Sequence, residues 1–216
     1  MPSTRSAALI TDEPVATWTA ILLTGGAGTR MGREKSGVML GDVTLVDHVL
    51  MGLPSGVKVF VVGPDLPRPP RPVTCTRESQ PGGGPVAALA AGLDLVTTEI
   101  VGVIATDMPF AGGLLEGLAQ SIPPGADALI PVDVTGHRQP LCAVYRVTAL
   151  RTALLALGAL PGTSMRSLLA HLVVAETTST ALHAPFDKEA LFDIDTPSDL
   201  DQSRAIMHER KGRSHE

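Results

Sequence analysis

Residues 19–35, TAILLTGGAGTRMGREK, decide the fold. An apolar run over 19–24 passes directly into Gly25, Gly26 and Gly28, followed by Thr29, Arg30, Gly32 and Lys35. A short apolar run that stops at glycine reads as a buried strand. Glycines accept positive φ and let the backbone approach a ligand closely, so successive N–H groups can point at phosphate oxygens. Arg30 and Lys35 supply the cationic charge that a triphosphate requires. Spacing excludes two common phosphate loops: GxGxxG breaks at Met31, and GxxxxGK[ST] breaks because Lys35 follows Glu34. Taken alone, the loop also admits a plainer reading, a chain turn with Arg30 and Lys35 in solvent.

Working outward, further strand-like runs fall at 58–63, 72–76, 99–105, 128–132 and 140–145. They alternate with helical patterns at 45–53, 85–96, 113–121, 147–157, 164–171 and 198–208. In 85–96, Val86, Leu89, Ala90, Leu93 and Val96 share one helical face, with Pro85 suited to the first turn. Strand, helix and strand in succession predict an α/β protein with a mainly parallel sheet, whose ligands bind at the carboxyl ends of the strands. One domain over 18–207 is expected, after a flexible segment at 1–17 and before a charged tail at 208–216.

Composition narrows the class. The 216 residues are 44% hydrophobic yet only 3% aromatic, so the core must rest on Leu, Val, Ile and Ala between helices and a sheet. Seventeen basic residues against 22 acidic ones give a net charge of −5, which removes the electrostatic drive toward nucleic acid. No apolar run approaches the ~18 residues of a membrane span, and residues 1–14 lack a signal peptide's apolar centre. A cytoplasmic protein with no membrane partner is expected. Cys75 and Cys142 stand 67 positions apart within apolar runs and read as reduced core residues. The six histidines show no metal-binding spacing.

The segments LTGGAGTRMGREK (23–35), LGDVTLVDHVL (40–50), GGGPVAALAAGL (82–93), ATDMPF (105–110), GHRQPLCAVY (136–145) and DIDTPSDL (193–200) resemble, in order, the successive blocks of the molybdenum cofactor guanylyltransferase family of MobA-like NTP transferases. The resemblance runs from about Thr19 to Leu200. It departs at Glu34, where the family usually has Asp, and at Asp193 and Asp195, positions often held by Asn. It implies a three-layer α/β/α Rossmann-like nucleotidyltransferase fold. It also implies transfer of GMP from GTP to the phosphate of Mo-molybdopterin, with Mg²⁺ as cofactor. Transient contact with cofactor-delivery proteins or molybdoenzymes belongs to the same expectation.

Carried over by position, the nucleotide contacts are Leu23, Gly25, Gly26, Gly28, Thr29, Arg30 and Lys35, with Glu78 and Gly84 beside the base. Glu78 could accept from the guanine N1 and N2 donors, or could be a solvated loop carboxylate. Asp107 is implied as the principal magnesium ligand and, with Arg30 and Lys35, as catalytic; the other reading of Asp107 is a helix N-cap. Asp195 is the candidate second ligand, with Asp193 able to orient a neighbour. Arg138 is placed against the acceptor phosphate, and Arg166 could reach the same anion. The alternatives carried alongside are a CTP-using relative, a nucleotidyltransferase for another phosphorylated small molecule, and a non-catalytic nucleotide-binding module.

Overall fold

The computed structural model describes residues 18–25, 37–178 and 188–213. Its centre is a seven-stranded sheet in the order β5-β4-β1-β6-β8-β7-β9. The strands are β1 (Trp18–Leu23), β4 (Lys58–Val62), β5 (Thr74–Thr76), β6 (Ile100–Ala105), β7 (Ala128–Pro131), β8 (Cys142–Arg146) and β9 (Val174–Thr177). β1 pairs in parallel with β4 and β6, β4 with β5, and β7 with β9. Only β8 runs against its neighbours β6 and β7. The sheet is therefore mainly parallel, as expected, with one reversal that the run pattern does not encode.

The pleat sends alternate residues of β1 into two different layers. Ala20 and Leu22 pack with α1 (Leu45–Gly52) and α3 (Leu114–Ser121) through Val46, Val49, Leu50, Leu115 and Leu118. Ile21 and Leu23 face α2 (Pro85–Leu93), α4 (Val147–Leu157) and α5 (Met165–Leu169) through Val86, Leu89, Leu150 and Leu168. Every residue of β1 is buried. A three-layer α/β/α sandwich follows. Gly92 sets the closeness of one layer, since a Cβ there would lie 2.8 Å from Ile21 Cγ2 and 2.9 Å from Val62 Cγ2.

Two features extend beyond the sequence reading. A small hairpin, β2 (Met39–Leu40) with β3 (Val43–Thr44), packs with α6 (Pro197–Arg213) around Leu40, Leu45, Ile194, Leu200 and Met207. The last helix also continues into the stretch expected as a charged tail. The Arg210 guanidinium sits 4.6 Å from the centre of the Phe110 ring, anchoring that part of the helix to the domain. No helix among the described residues is long and apolar enough to cross a membrane.

Candidate functional site

The carboxyl ends of β4, β1 and β6 are joined by hydrogen bonds just beyond the last paired residues. Thr24 donates from its amide and from Oγ1 to the Val62 carbonyl, at 3.0 and 3.1 Å. Thr106 donates in the same two ways to the Leu23 carbonyl, both at 3.1 Å. Both threonines are buried, so the rim's polar groups are satisfied internally. Gly63 lies beside Thr24 with φ +146, and a Cβ there would come within 2.0 Å of Thr24 Oγ1. Leu23 thus closes the strand, and Gly25 leaves the rim with open space where a Cβ would stand. Gly26, Gly28, Thr29, Arg30 and Lys35 lie outside the described residues.

One residue past Thr106, the chain turns tightly at Asp107, with the Met108 amide bonded to the Ala105 carbonyl at 3.2 Å. The next helix starts at Leu114 behind Gly113, so Asp107 does not cap it. The Asp107 carbonyl instead accepts from the Ile194 amide at 2.8 Å. Ile194 is fully buried, which fixes the DID segment against the end of β6. Burial, and then the charges of Asp195, Asp107 and Asp199, raise the Asp193 carboxyl above its ordinary value, against one backbone hydrogen bond that lowers it. The Asp193 carboxyl, far from Asp107 in sequence, therefore lies within the field of Asp107.

Asp199 escaped the sequence reading. Its Oδ2 accepts from the amides of Asp195 and Thr196 at 3.0 and 2.7 Å, while Thr196 Oγ1 accepts from the Asp199 amide at 3.2 Å. This reciprocal cap starts α6, and its signal was present in the spacing of Thr196 and Asp199 around Pro197. The cap also fixes the backbone of Asp195. The carboxylate oxygens here are hard donors of the type that Mg²⁺ takes together with phosphate and water oxygens. Among the described residues, no three His, Cys, Asp or Glu side chains form a metal-holding group alone.

Glu78 closes the glycine segment before α2. Its Oε1 accepts from the Gly82 amide at 2.7 Å, and its Oε2 is buried without a hydrogen-bond partner among the described residues. A merely solvated carboxylate would not be so placed. Gly84 caps α2 at φ 88 without a side-chain partner, leaving open space at its Cβ position. The Gly83 carbonyl accepts from the Gly162 amide at 2.8 Å, so the α4–α5 turn braces this loop. Arg166 lies in that neighbourhood on α5, exposed to solvent.

Arg138 stands in the loop between β7 and β8, at the same end of the sheet. Its guanidinium forms an ion pair with Glu176 of β9, Nε to Oε1 being 2.6 Å. Sequence reasoning missed this partner because β9 itself went unread. Cys142, at the start of β8, is a free buried thiol pushed up to about 12 by burial and by the charge of Asp107. Cys75 is free and half-buried. Neither is in a disulfide, and only Cys142 is the buried core residue expected from the sequence.

A family model for the MobA-like NTP transferase domain matches residues 20–177. The chain is 34% identical over 135 residues to a probable molybdenum cofactor guanylyltransferase of Mycobacterium tuberculosis. That match covers 58% of this chain and 66% of the relative, so it spans slightly less than two thirds of the mycobacterial protein. A molybdenum cofactor guanylyltransferase of Rhodobacter capsulatus is 31% identical over 189 residues, covering 83% of this chain and 91% of its own. Among solved structures, molybdopterin-guanine dinucleotide biosynthesis protein A from Archaeoglobus fulgidus superposes with a TM-score of 0.72 at 28% identity, over 88% of this chain and 99% of that one. The 2-C-methyl-D-erythritol 4-phosphate cytidylyltransferase of Thermus thermophilus shares the fold, with a TM-score of 0.58 at 18% identity over 87% and 98%.

Proposed function

This chain belongs to the MobA-like NTP transferase family, and from that premise we propose that it transfers GMP from GTP to the terminal phosphate of Mo-molybdopterin. An acceptor phosphate oxygen attacks the α-phosphorus; the new P–O bond forms as the α–β bridging bond breaks, and pyrophosphate leaves. The observation that supports this reading is the hydrogen bond from the Ile194 amide to the Asp107 carbonyl, which holds the segment carrying Asp193 and Asp195 against the end of β6.

The attacking oxygen is already anionic near neutral pH, so the protein's task is alignment and charge neutralisation. Arg30, Lys35 and the amides of Gly25, Gly26, Gly28 and Thr29 hold the triphosphate. Glu78, whose Oε1 is held by the Gly82 amide, is the acceptor we assign to the N1 and N2 donors of guanine. Gly84 leaves room for the flat ring. Asp107 and Asp195 would hold Mg²⁺, which when bound neutralises charge on the phosphates during transfer. Arg138 serves the acceptor side through its ion pair with Glu176, which fixes its loop near the cleft.

The test is incubation with Mg²⁺, purified molybdopterin with and without molybdenum, and each of GTP, CTP, ATP and UTP in turn, followed by mass analysis. A guanine dinucleotide product formed with pyrophosphate is expected. A cytosine product would reassign the base. Absence of pyrophosphate with every nucleotide would leave a nucleotide-binding module.

A further inference from the structure

The loop at 132–141 carries a hydrogen-bond chain that the reaction above does not use. Asp133 Oδ1 accepts from the Thr135 amide at 2.8 Å, from Thr135 Oγ1 at 2.6 Å and from the His137 amide at 3.0 Å; Oδ2 accepts from Gln139 Nε2 at 2.9 Å. Thr135 Oγ1 also lies 2.7 Å from His137 Nδ1. A hydroxyl has one proton to give, and an ionised carboxylate can only accept. Burial opposes the charge on Asp133, but the bonds from Thr135, His137 and Gln139 prevail and hold its carboxyl down at about 2. Thr135 therefore donates to Asp133, and His137 Nδ1 must donate to Thr135.

The site of this chain matters. The loop leaves the carboxyl end of β7, the end at which Asp107 follows β6, and the Leu141 carbonyl accepts from the Ala105 amide at 2.9 Å. Its other basic group, Arg138, is committed to Glu176. Resting on the function proposed above, we infer that Thr135 is a positioning residue: it fixes His137 with the proton on Nδ1, so that Nε2 engages the phosphate of the acceptor. A phosphate monoester's second pKa is about 6, so its monoanion carries a proton that an unprotonated ring nitrogen can accept. The proton of a singly protonated phosphate oxygen passes to Nε2, and the resulting imidazolium donates back to the dianion. Asp133 supports that positive charge through Thr135.

The experiment has two arms. Nitrogen NMR of the His137 ring is recorded without substrate in the wild type, in Thr135→Val and in Thr135→Ser, and again with inorganic phosphate. A proton on Nδ1 in the wild type and in T135S, lost in T135V, with an Nε2 response to phosphate, is expected. A wild-type ring with its proton on Nε2 alone, or no response to phosphate, overturns the inference. In turnover assays T135V should raise the acceptor KM about tenfold, the effect of losing one charge-assisted hydrogen bond, with the GTP KM unchanged and T135S restoring the wild-type value. An unchanged acceptor KM, or an equal rise for GTP, overturns it. Should T135V fail to fold, His137→Gln, with a polar atom near the Nε2 position, should keep a lower acceptor KM than His137→Asn; equal values overturn the inference. Failure of the wild type to release pyrophosphate sinks the transferase reading, while the substrate-free ring measurement still decides the proton's place.

Discussion

The Ile194 amide donates to the Asp107 carbonyl at 2.8 Å, and through this one main-chain bond the last loop of the domain is held against the end of a central strand. Because the bond uses the carbonyl, the Asp107 carboxylate can change without breaking the bridge. Asp107→Asn should therefore fold normally while turnover falls by orders of magnitude, since a carboxamide is a far weaker ligand for a hard cation. Circular dichroism and thermal melting check the fold; pyrophosphate release checks the rate. Near-normal turnover in a folded variant would remove Asp107 from the chemistry.

Glu78→Gln separates two functions of one carboxylate. The amide oxygen can still accept from the Gly82 N–H, so the loop should keep its shape. If Glu78 reads guanine as proposed, the other atom becomes a donor set against the donors of the base. Selectivity for GTP over ATP should fall by about 10- to 100-fold, the effect of one unpaired polar group in a recognition site. The ratio of kcat/KM for the two nucleotides measures it; an unchanged ratio would place the base elsewhere.

Arg71 forms a cap that no local pattern announces. Its guanidinium donates to the carbonyls of Leu50, Leu53, Pro54, Ser55 and Val57, at distances from 2.7 to 3.4 Å. These acceptors include the end of α1 and the turn into β4, where free carbonyls need partners. Arg71→Ala should cost about 2–3 kcal/mol in chemical denaturation, and Arg71→Lys should recover only part because an ammonium lacks the planar fork. A loss under about 0.5 kcal/mol would show that water replaces the cap.

The legible parts of this molecule share a physical cause. β1, β4 and β6 announced themselves because burial on both faces makes their sequences continuously apolar, and α4 (147–157) was bounded correctly by its period. β9 reads VAET, with only Thr177 buried, because an edge strand pairs on one side alone and has little apolar signature. Missing it concealed Glu176, and with it the partner of Arg138. The reversal of β8 leaves no trace in periodicity, since pairing direction does not alter which residues are buried. Arg71 reaches carbonyls 14 to 21 residues away, a relationship set by the path of the chain. The position of Asp107 just past a strand end was legible, and the cap formed by Asp199 could have been read from its spacing to Thr196.

Acid should release the loop at 132–141 late. Asp133 is held down at about 2, because hydrogen bonds from Thr135, His137 and Gln139 outweigh the opposing effect of burial. An unfolded Asp titrates near 3.9, so the folded state binds fewer protons between these two values. The stabilisation is fully present above the unfolded value and is lost as pH falls through about 2. The Thr135 and His137 amide resonances should therefore keep their positions down to about pH 3 and shift together below it. Asp133→Asn should remove that joint transition and leave the loop less ordered at neutral pH. A midpoint near 4 in the wild type would mean that the four donors do not act on the carboxylate in solution.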